Sequence, residues 1–590
     1  MFSKILIANR GEIAIRIIRT AREMGIATVA VYSEIDRDAL HVRMADEAFL
    51  LGPASPSQSY LNVEKLLDAA KRSGAQAIHP GYGFLAENAG FARAVIGAGL
   101  SWIGPHPDAI DAMGDKVRAR QAMVKAGVPV VPGGTEAIAD ERGAREAAER
   151  YGLPLALKAS GGGGGKGLKV ARTLEELPAA LATAQREAEA YFKNGTIYAE
   201  RYLDNPKHVE LQVLADKHGT VLHVGERDCS LQRRHQKLWE EAPASISQKV
   251  REGMRDAGIR AAKAIGYDSV GTIECLVSGD DFFFLEMNTR IQVEHTVSEM
   301  ISGIDLIREQ IRVAAGEHLG YDQSALAFRG FAIEGRVNAE DPAHNFRPAP
   351  GTVTAYREPA GPGVRIDSAA YPGFTITPDY DSMIAKLIVW APTRDQAIAR
   401  LRRAIDEYEI GGVPTTLPLL RALCDHGPVQ NATYGTATLE AFAAELYAAN
   451  GSATAASRAL GDASTPARGD EGAAPTFRVE VNDKLYRVRL IDLPAGTVRA
   501  SSPGKAAPRI AHKKRAVASG GNDVTSPMHG VVVEIGVNPG DAVAQGQVVA
   551  VVEAMKMMNE IRAHKTGTAG KIHVKPGDTV EAHSALVTID

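Results

Sequence analysis

Cysteine is scarce: Cys229, Cys275 and Cys424 are the only three in 590 residues. They are too few and too scattered for a disulfide framework, and they lack metal-ligand spacing. Reduced, buried thiols are expected, with Cys229 alone lying beside a charged motif. No run of about 18 apolar residues occurs, so no membrane-spanning helix is expected. Charge of one sign is also missing. The 67 Lys and Arg against 71 Asp and Glu leave a net charge of −4, which invites neither nucleic acid nor an anionic membrane. The amino terminus, Met1-Phe2-Ser3-Lys4-Ile5-Leu6-Ile7, reads as a strand. It has no apolar secretory segment and no Arg/Ser-rich leader, so a cytoplasmic location is expected. What remains is a globular composition, 45% hydrophobic and 23% charged. At this length roughly three to five domains are expected.

The texture changes along the chain. Apolar runs at residues 4–8, 28–32, 75–79 and 100–103 alternate with amphipathic stretches at 13–23 and 63–73. This rhythm predicts a doubly wound parallel sheet over residues 1–112. Residues 113–330 mix helices with strand pairs, and 331–447 carry strands and then helices. Residues 448–522 are rich in Ala, Gly, Ser and Pro, a linker composition. Within them, 476–493 predict a short hairpin turning at Asn482-Asp483. The basic run His512-Lys513-Lys514-Arg515 reads as solvated linker.

Residues 523–590 contain an internal repeat. Ser526 to Val531, followed by Asn538-Pro539-Gly540-Asp541, recurs 37 residues later as Ala563 to Thr568 and Lys575-Pro576-Gly577-Asp578. Each Pro-Gly-Asp predicts a tight turn. Two such halves predict a small all-β barrel with pseudo-two-fold symmetry. Glu553-Ala554-Met555-Lys556-Met557-Met558 lies between the halves, which places Lys556 in an exposed turn. The linker before it would act as a tether, giving a carried group a high effective concentration at each site it visits.

Leu157-Lys158-Ala159-Ser160 leads into the five glycines 161–165, then Lys166-Gly167. Such a run, with Gly163 and Gly164 in it, lets backbone N–H groups close over phosphates. It is no P-loop, which would need glycine at 160 and Ser or Thr at 167. Gly81-Tyr82-Gly83-Phe84-Leu85-Ala86 matches the dinucleotide pattern G-x-G-x-x-A, but follows a later strand than the first and is the weaker signal.

Alternation over residues 285–295 puts Glu286, Asn288, Arg290, Gln292 and Glu294 on one strand face. A turn at Ser278-Gly279-Asp280-Asp281 sets Glu274 opposite Glu286. Two opposed carboxylates repel. A divalent cation, Mg2+ or Mn2+, removes that penalty and would bridge nucleotide phosphates, with Asn288 adding a neutral oxygen. Arg290 and Gln292 can hold an anion, and Glu294 is a candidate general base. The residues alone leave open an ATP-dependent ligase acting on another carboxylate or carbamate, a non-catalytic carrier scaffold, and a dehydrogenase built on residues 81–86.

The segment Leu285-Glu-Met-Asn-Thr-Arg-Ile-Gln-Val-Glu-His295 strongly resembles the biotin carboxylase family of ATP-grasp enzymes. The resemblance continues through Glu200-Arg-Tyr-Leu203, His208-Val-Glu210, Glu226 to Lys237, Glu334 to Pro342 and Tyr380 to Met383, and covers about residues 1–445. Residues 523–590, with Ala554-Met555-Lys556-Met557, resemble the biotinyl carrier domain, in which that lysine carries biotin. The implied architecture is α/β plus all-β. A pre-ATP-grasp domain (1–112) precedes an ATP-grasp domain (113–330) and a biotin carboxylase C-terminal domain (331–447). The linker (448–522) and the biotinyl/lipoyl-like barrel (523–590) follow.

The resemblance implies ATP-dependent carboxylation of biotin on Lys556 by bicarbonate, through carboxyphosphate. Lys116, Lys158, Gly163, Gly164, Gln232 and His235 would hold the nucleotide, with Glu200 and Leu203 at the adenine hinge. His208 is placed at the nucleotide site or as a satisfied structural histidine. Lys237, Arg290, Gln292 and the backbone N–H of Val293 would bind bicarbonate, Glu294 would take its proton, and Glu274, Glu286 and Asn288 would hold the metal. Arg336 would meet the biotin oxyanion or form a buried salt bridge with a neighbour such as Glu340. No stretch remains for a carboxyltransferase. The layout is similar to the α chain of bacterial acyl-CoA carboxylases, especially the actinobacterial acetyl/propionyl-CoA type. It implies a carboxyltransferase β subunit, a biotin protein ligase and homo-oligomeric α chains in a larger complex. A methylcrotonyl-CoA or two-subunit pyruvate carboxylase remains an alternative.

Overall fold

The computed structural model describes all residues except 135, 160–167, 193–194, 234–235, 460–475, 482–483, 490–521, 529, 555–556 and 581–583. For 116–117, 190–192, 449–459, 476–481, 484–489, 554, 557–558 and 579 it describes the backbone only.

The first 110 residues build a five-stranded parallel sheet. Its order is Glu47–Gly52, Ala27–Ser33, Lys4–Ile7, Ala77–His79, Ser101–Trp102. Helix Gly11–Glu23 packs through Ile13, Ala14, Ile17, Ile18 and Ala21, the i, i+4 stripe that its sequence carries. Strand Glu47–Gly52 was not anticipated. It lies at the sheet edge, where its short apolar run Ala48-Phe49-Leu50-Leu51 is fully buried only at Leu51. Between Lys4–Ile7 and Ala77–His79 the strand order reverses, the usual place for a dinucleotide. Here the Asn9 amide donates to the carbonyls of Pro80 (2.8 Å) and Tyr82 (2.7 Å), which pins the turn after Ala77–His79. The 81–86 glycines serve this turn, with Gly81 at φ 62° against Asn9 and Gly83 at φ 67°. The dinucleotide pattern should itself open a helix, but the next helix begins only at Ala89, so the dehydrogenase reading loses its basis.

The central feature is an eight-stranded antiparallel sheet. Its order is Asp281–Asn288, Val270–Ser278, Lys207–Ala215, Val221–Arg233, Gln236–Ala242, Phe331–Asn338, Met383–Ala391, Val364–Ser368. The sequence boundary near 330 therefore falls inside one continuous sheet. In Lys207–Ala215 the odd residues Val209, Leu211, Val213 and Ala215 enter a core with Val250, Met254, Ala257 and Ala261 of helix Gln248–Ala264. The even residues His208, Glu210 and Gln212 point to the other face, where helix His295–Ser302 packs. A smaller sheet, Leu168–Ala171, Leu155–Ala159, Ile197–Arg201, carries the ends of the glycine run, with Lys158 opposite Leu168. Helix Arg394–Glu407 covers Phe331–Asn338 and Met383–Ala391 through Ile398, Leu401 and Ile405.

Residues 448–459, expected as linker, instead continue helix Thr438–Ala459. Alanine-rich sequence favours helix as readily as it makes a tether. Ala448–Asp523 forms a unit of its own containing the expected hairpin, strands Thr476–Val481 and Lys484–Arg489 with Val481 opposite Lys484.

The last 67 residues, from Val524, form two four-stranded sheets closed around Val532, Val549, Val552, Leu586 and Ile589. The repeat is visible as reciprocal hydrogen bonds. Gly540 donates to Ala569 O and Gly577 to Val532 O, each at 2.7 Å. Ala569 donates to Asp541 O (2.8 Å) and Val532 to Asp578 O (2.9 Å). Each Asp caps its own turn, Asp541 on Asn538 N (2.7 Å) and Asp578 on Lys575 N (3.0 Å). Strands Val548–Ala554 and Met557–Arg562 pair with Ala554 opposite Met557; Lys556, between them in sequence, lies outside the described residues. Among the described residues no helix is long and apolar enough to cross a membrane.

Candidate active site

The polar face of the large sheet assembles the site. Glu286 lies opposite Glu274, Glu274 opposite Glu210, and Glu210 opposite Arg227. The opposed pair at 274 and 286 is thus joined by a third carboxylate in the same row. Three acids side by side need compensation. Lys237, across from Gln232 on the next strand pair, supplies part of it. Its Nζ donates to Glu274 (3.0 Å), Glu294 (2.7 Å) and Glu210. The guanidinium of Arg227, fully buried, donates to Glu210 (2.9 Å), Gln292 (2.7 Å), Thr272 (3.0 Å) and Ser298 (3.0 Å). The His208 imidazole sits 3.1 Å from Glu274 and 3.3 Å from Glu210. Burial opposes its charge, but Glu274 and Glu210 outweigh burial and raise its pKa to about 9.

Burial likewise works against ionised Glu294, and Lys237, Arg336 and Arg227 overcome it, holding the carboxyl near pKa 2. Arg336 donates to Glu294 (3.0 Å) and to Glu240 (2.6 Å). Its partners are therefore Glu240 and Glu294, whereas Glu340 bonds Asn338 and Ser382. Glu240 lies opposite Glu334, and burial pushes the two carboxyls up, to about 8 and about 7, against the pull of Arg336 and Lys386.

The strand expected through residue 294 ends at Asn288. Thr289 N–H is taken by Glu87 of the first domain (3.1 Å) instead of a ladder partner, and Glu294 becomes the cap of helix His295–Ser302. The turn between still brings the expected residues together. Gln292 donates to Glu274 (2.9 Å), and Arg290 spans Glu87 (2.9 Å) and Asn288 (2.8 Å). The Asn288 amide also donates to Glu274 (2.8 Å). Val293 offers its carbonyl to Lys386 (3.0 Å).

On the smaller sheet, Lys158 is held by Glu200, which also meets Arg120 (3.4 Å); Leu203 follows the strand Ile197–Arg201. Lys116 opens helix Lys116–Lys125. Gly163, Gly164 and His235 lie outside the described residues. Cys229 is fully buried beside Glu210 and Glu294, and burial pushes its thiol up, so it is no nucleophile. Sequence reasoning gave no role to Glu210, Arg227, Glu240 or Glu87. For Glu210 the signal was present, since His208-Val209-Glu210 alternates in step with Glu274.

Comparison with known proteins agrees with this geometry. Residues 1–110 match the biotin carboxylase N-terminal domain, 115–321 the ATP-binding domain of the carbamoyl-phosphate synthase L chain, 334–441 the biotin carboxylase C-terminal domain, and 522–589 a biotin-requiring enzyme domain. The α3 subunit of the biotin-dependent acyl-coenzyme A carboxylase of Mycobacterium leprae is 44% identical over 100% of this chain and 98% of its own. Biotin carboxylase 1 of Bacillus subtilis is 52% identical over 75% of this chain and 99% of its own. The biotin carboxylase domain of Hydrogenobacter thermophilus 2-oxoglutarate carboxylase, solved with MgADP and bicarbonate, superposes with TM-score 0.69 at 49% identity, over 75% of this chain and 98% of that one.

Fold and site define an ATP-grasp enzyme with a carrier barrel on the same chain. The chain belongs to the biotin carboxylase family, in the branch of acyl-CoA carboxylase α subunits, and its activity is ATP-dependent carboxylation of biotin.

Proposed function

We propose that Glu294 is the general base that deprotonates bicarbonate, and that the carboxyl group then passes to biotin on Lys556. The observation that carries this reading is the Glu294 carboxylate itself, 2% exposed and gripped by Lys237 at 2.7 Å and Arg336 at 3.0 Å. Held so, it is ionised at neutral pH but weakly basic. An entering anion competes for the charge on Lys237 and Arg336 and thereby raises the basicity of Glu294. Lys237, Arg290, Gln292 and the Val293 N–H hold bicarbonate, whose freed oxygen attacks the γ-phosphorus of ATP to give carboxyphosphate and ADP. Lys158, Gln232, His208 and Glu200, together with Lys116, Leu203, His235 and the glycines 163 and 164, would hold the nucleotide.

The donor set fits a hard divalent cation: Glu274 and Glu286 are directly opposed carboxylates, with the Asn288 amide next to Glu274. Mg2+ or Mn2+, when bound there, neutralises charge between the phosphates. Biotin, when attached, supplies the ureido nitrogen that accepts the carboxyl group. Carboxyphosphate would release CO2 and phosphate, the phosphate would take the ureido proton, and Arg336, backed by Glu240, would present N–H donors to the oxyanion that forms as the nitrogen attacks CO2.

The partner is a carboxyltransferase β subunit that uses a short acyl-CoA, acetyl- or propionyl-CoA, in a complex of several α chains. Full-length similarity to an acyl-CoA carboxylase subunit favours this over methylcrotonyl-CoA or pyruvate as acceptor. Lys556 is modified by a biotin protein ligase. Glu294→Gln tests the base: bicarbonate-dependent ATP cleavage should fall by about 10²–10⁴ while MgATP affinity stays unchanged. Wild-type turnover in that variant removes Glu294 from the role.

A further inference from the structure

The turn that carries Gln292, Val293 and Glu294 is fixed by two side chains outside the anion site. His295 is fully buried, and its Nδ1 lies 2.7 Å from the Gln292 carbonyl oxygen. A carbonyl only accepts, so Nδ1 carries the hydrogen. In a planar trans peptide the C=O and N–H point in opposite directions. Holding the Gln292 carbonyl therefore aims the N–H of Val293 the other way, away from the helix.

Lys386 grips the next peptide. It is fully buried, and its Nζ lies 3.0 Å from the Val293 carbonyl, 3.4 Å from Glu12 and 3.8 Å from Asp367. It stands directly across from Arg336 and from Asp367 in the sheet. Glu12 reaches it from helix Gly11–Glu23 of the first domain. Consecutive carbonyls on either side of Val293 are thus pinned from below, one by a neutral ring and one by an ammonium group.

Burial and the nearby charges of Lys386, Arg16 and Arg365 keep His295 well below the usual imidazole pKa, which preserves the single-donor form. A protonated ring would offer a second donor with no acceptor closer than Glu299, at 3.8 Å.

We propose that His295 and Lys386 are positioning residues that preset the Val293 N–H as a bicarbonate donor. The inference rests on the bicarbonate reading of this turn. Neither residue touches substrate; both act by denying the two peptides freedom to rotate. Their loss should weaken bicarbonate binding more than turnover, because a floppy donor costs affinity before it costs chemistry.

The test uses full-length, biotinylated protein and steady-state ATP cleavage with bicarbonate varied. Asn places an amide N–H where His has Nδ1–H, whereas Gln places it near Nε2 and Phe keeps the ring without a donor. His295→Phe and His295→Gln should raise the KM for bicarbonate about tenfold or more, with a smaller fall in kcat and no change in KM for MgATP. His295→Asn should return the bicarbonate KM to within about threefold of wild type. Lys386→Gln, which keeps a donor, should lie between. If His295→Phe fails to fold, the Asn and Gln pair decides. Equal bicarbonate KM values for Asn and Gln, or a wild-type value for Phe, overturn the proposal. Arg290→Ala separates the two levels. Should it leave the bicarbonate KM unchanged, the bicarbonate reading fails. Should it raise that KM while the His295 variants do not, only the positioning role fails.

Discussion

The carrier barrel and the large catalytic sheet are both antiparallel β structure, yet they bury opposite chemistries. Among the described residues of the barrel the only buried polar side chain is Ser526, and its core is Val, Ala, Leu and Ile. The catalytic sheet buries Glu210, Arg227, Glu240, Glu274, Glu334 and Lys386 on one face, with Glu294 buried against them at the start of helix His295–Ser302. In the barrel, apolar burial and turn geometry suffice. In the catalytic sheet, opposed charges fix one another in place. Removing either partner leaves an uncompensated buried ion, which costs more than a lost contact.

That contrast can be broken most severely at the carrier. Lys556→Ala should abolish covalent biotin and all transfer to an acyl acceptor, while carboxylation of free biotin remains measurable. Mass spectrometry showing biotin on another residue would place the carrier elsewhere. The next largest effect concerns stability. Arg227→Leu removes the donors to one Glu210 oxygen, leaving Lys237 and His208 on the other, and also unpairs Gln292, Thr272 and Ser298; it should lower the stability of the catalytic part by about 3 kcal/mol or more, read by denaturant unfolding. Val532→Ala in the barrel, a pure loss of two methyl groups, should cost roughly 1–2 kcal/mol and leave ATP cleavage with free biotin untouched. If the two costs were equal, the distinction between charged and apolar cores would be lost.

Near neutral pH the smallest effect is the pH dependence, which grows only as the medium becomes acid. His79 is buried in the first sheet and accepts from Gly81 N–H (3.1 Å). Burial and then Arg16 lower its pKa from 6.5 to about 3. A depressed histidine contributes stability above its unfolded pKa and loses it as pH falls from 6.5 toward 3. Its share of the slope is at most about 1.4 kcal/mol per pH unit. His79→Asn keeps an acceptor for Gly81, so it should flatten that part of the profile for the catalytic part.

The two regions also differed in how readable they were. The repeat around Asp541 and Asp578 spelled out the barrel, because each half supplies the same turn and the same reciprocal hydrogen bonds. The turn at residues 278–281 gave the Glu274–Glu286 register by counting alone. What could not be read was tertiary. Glu87 comes from another domain to end the strand at Asn288, and Glu240 rather than Glu340 pairs with Arg336. Neighbours in sequence were tried as partners where the sheet supplied neighbours in space. The helix at 448–459 was missed because alanine-rich sequence serves helix and tether alike.

The most direct test is transfer of label from radioactive bicarbonate to the purified, biotinylated chain. The account predicts an acid-labile label that requires MgATP, is blocked by avidin, and is absent from both Lys556→Ala and Glu294→Gln. A fully biotinylated chain that took up no label and cleaved no ATP when given bicarbonate would contradict it.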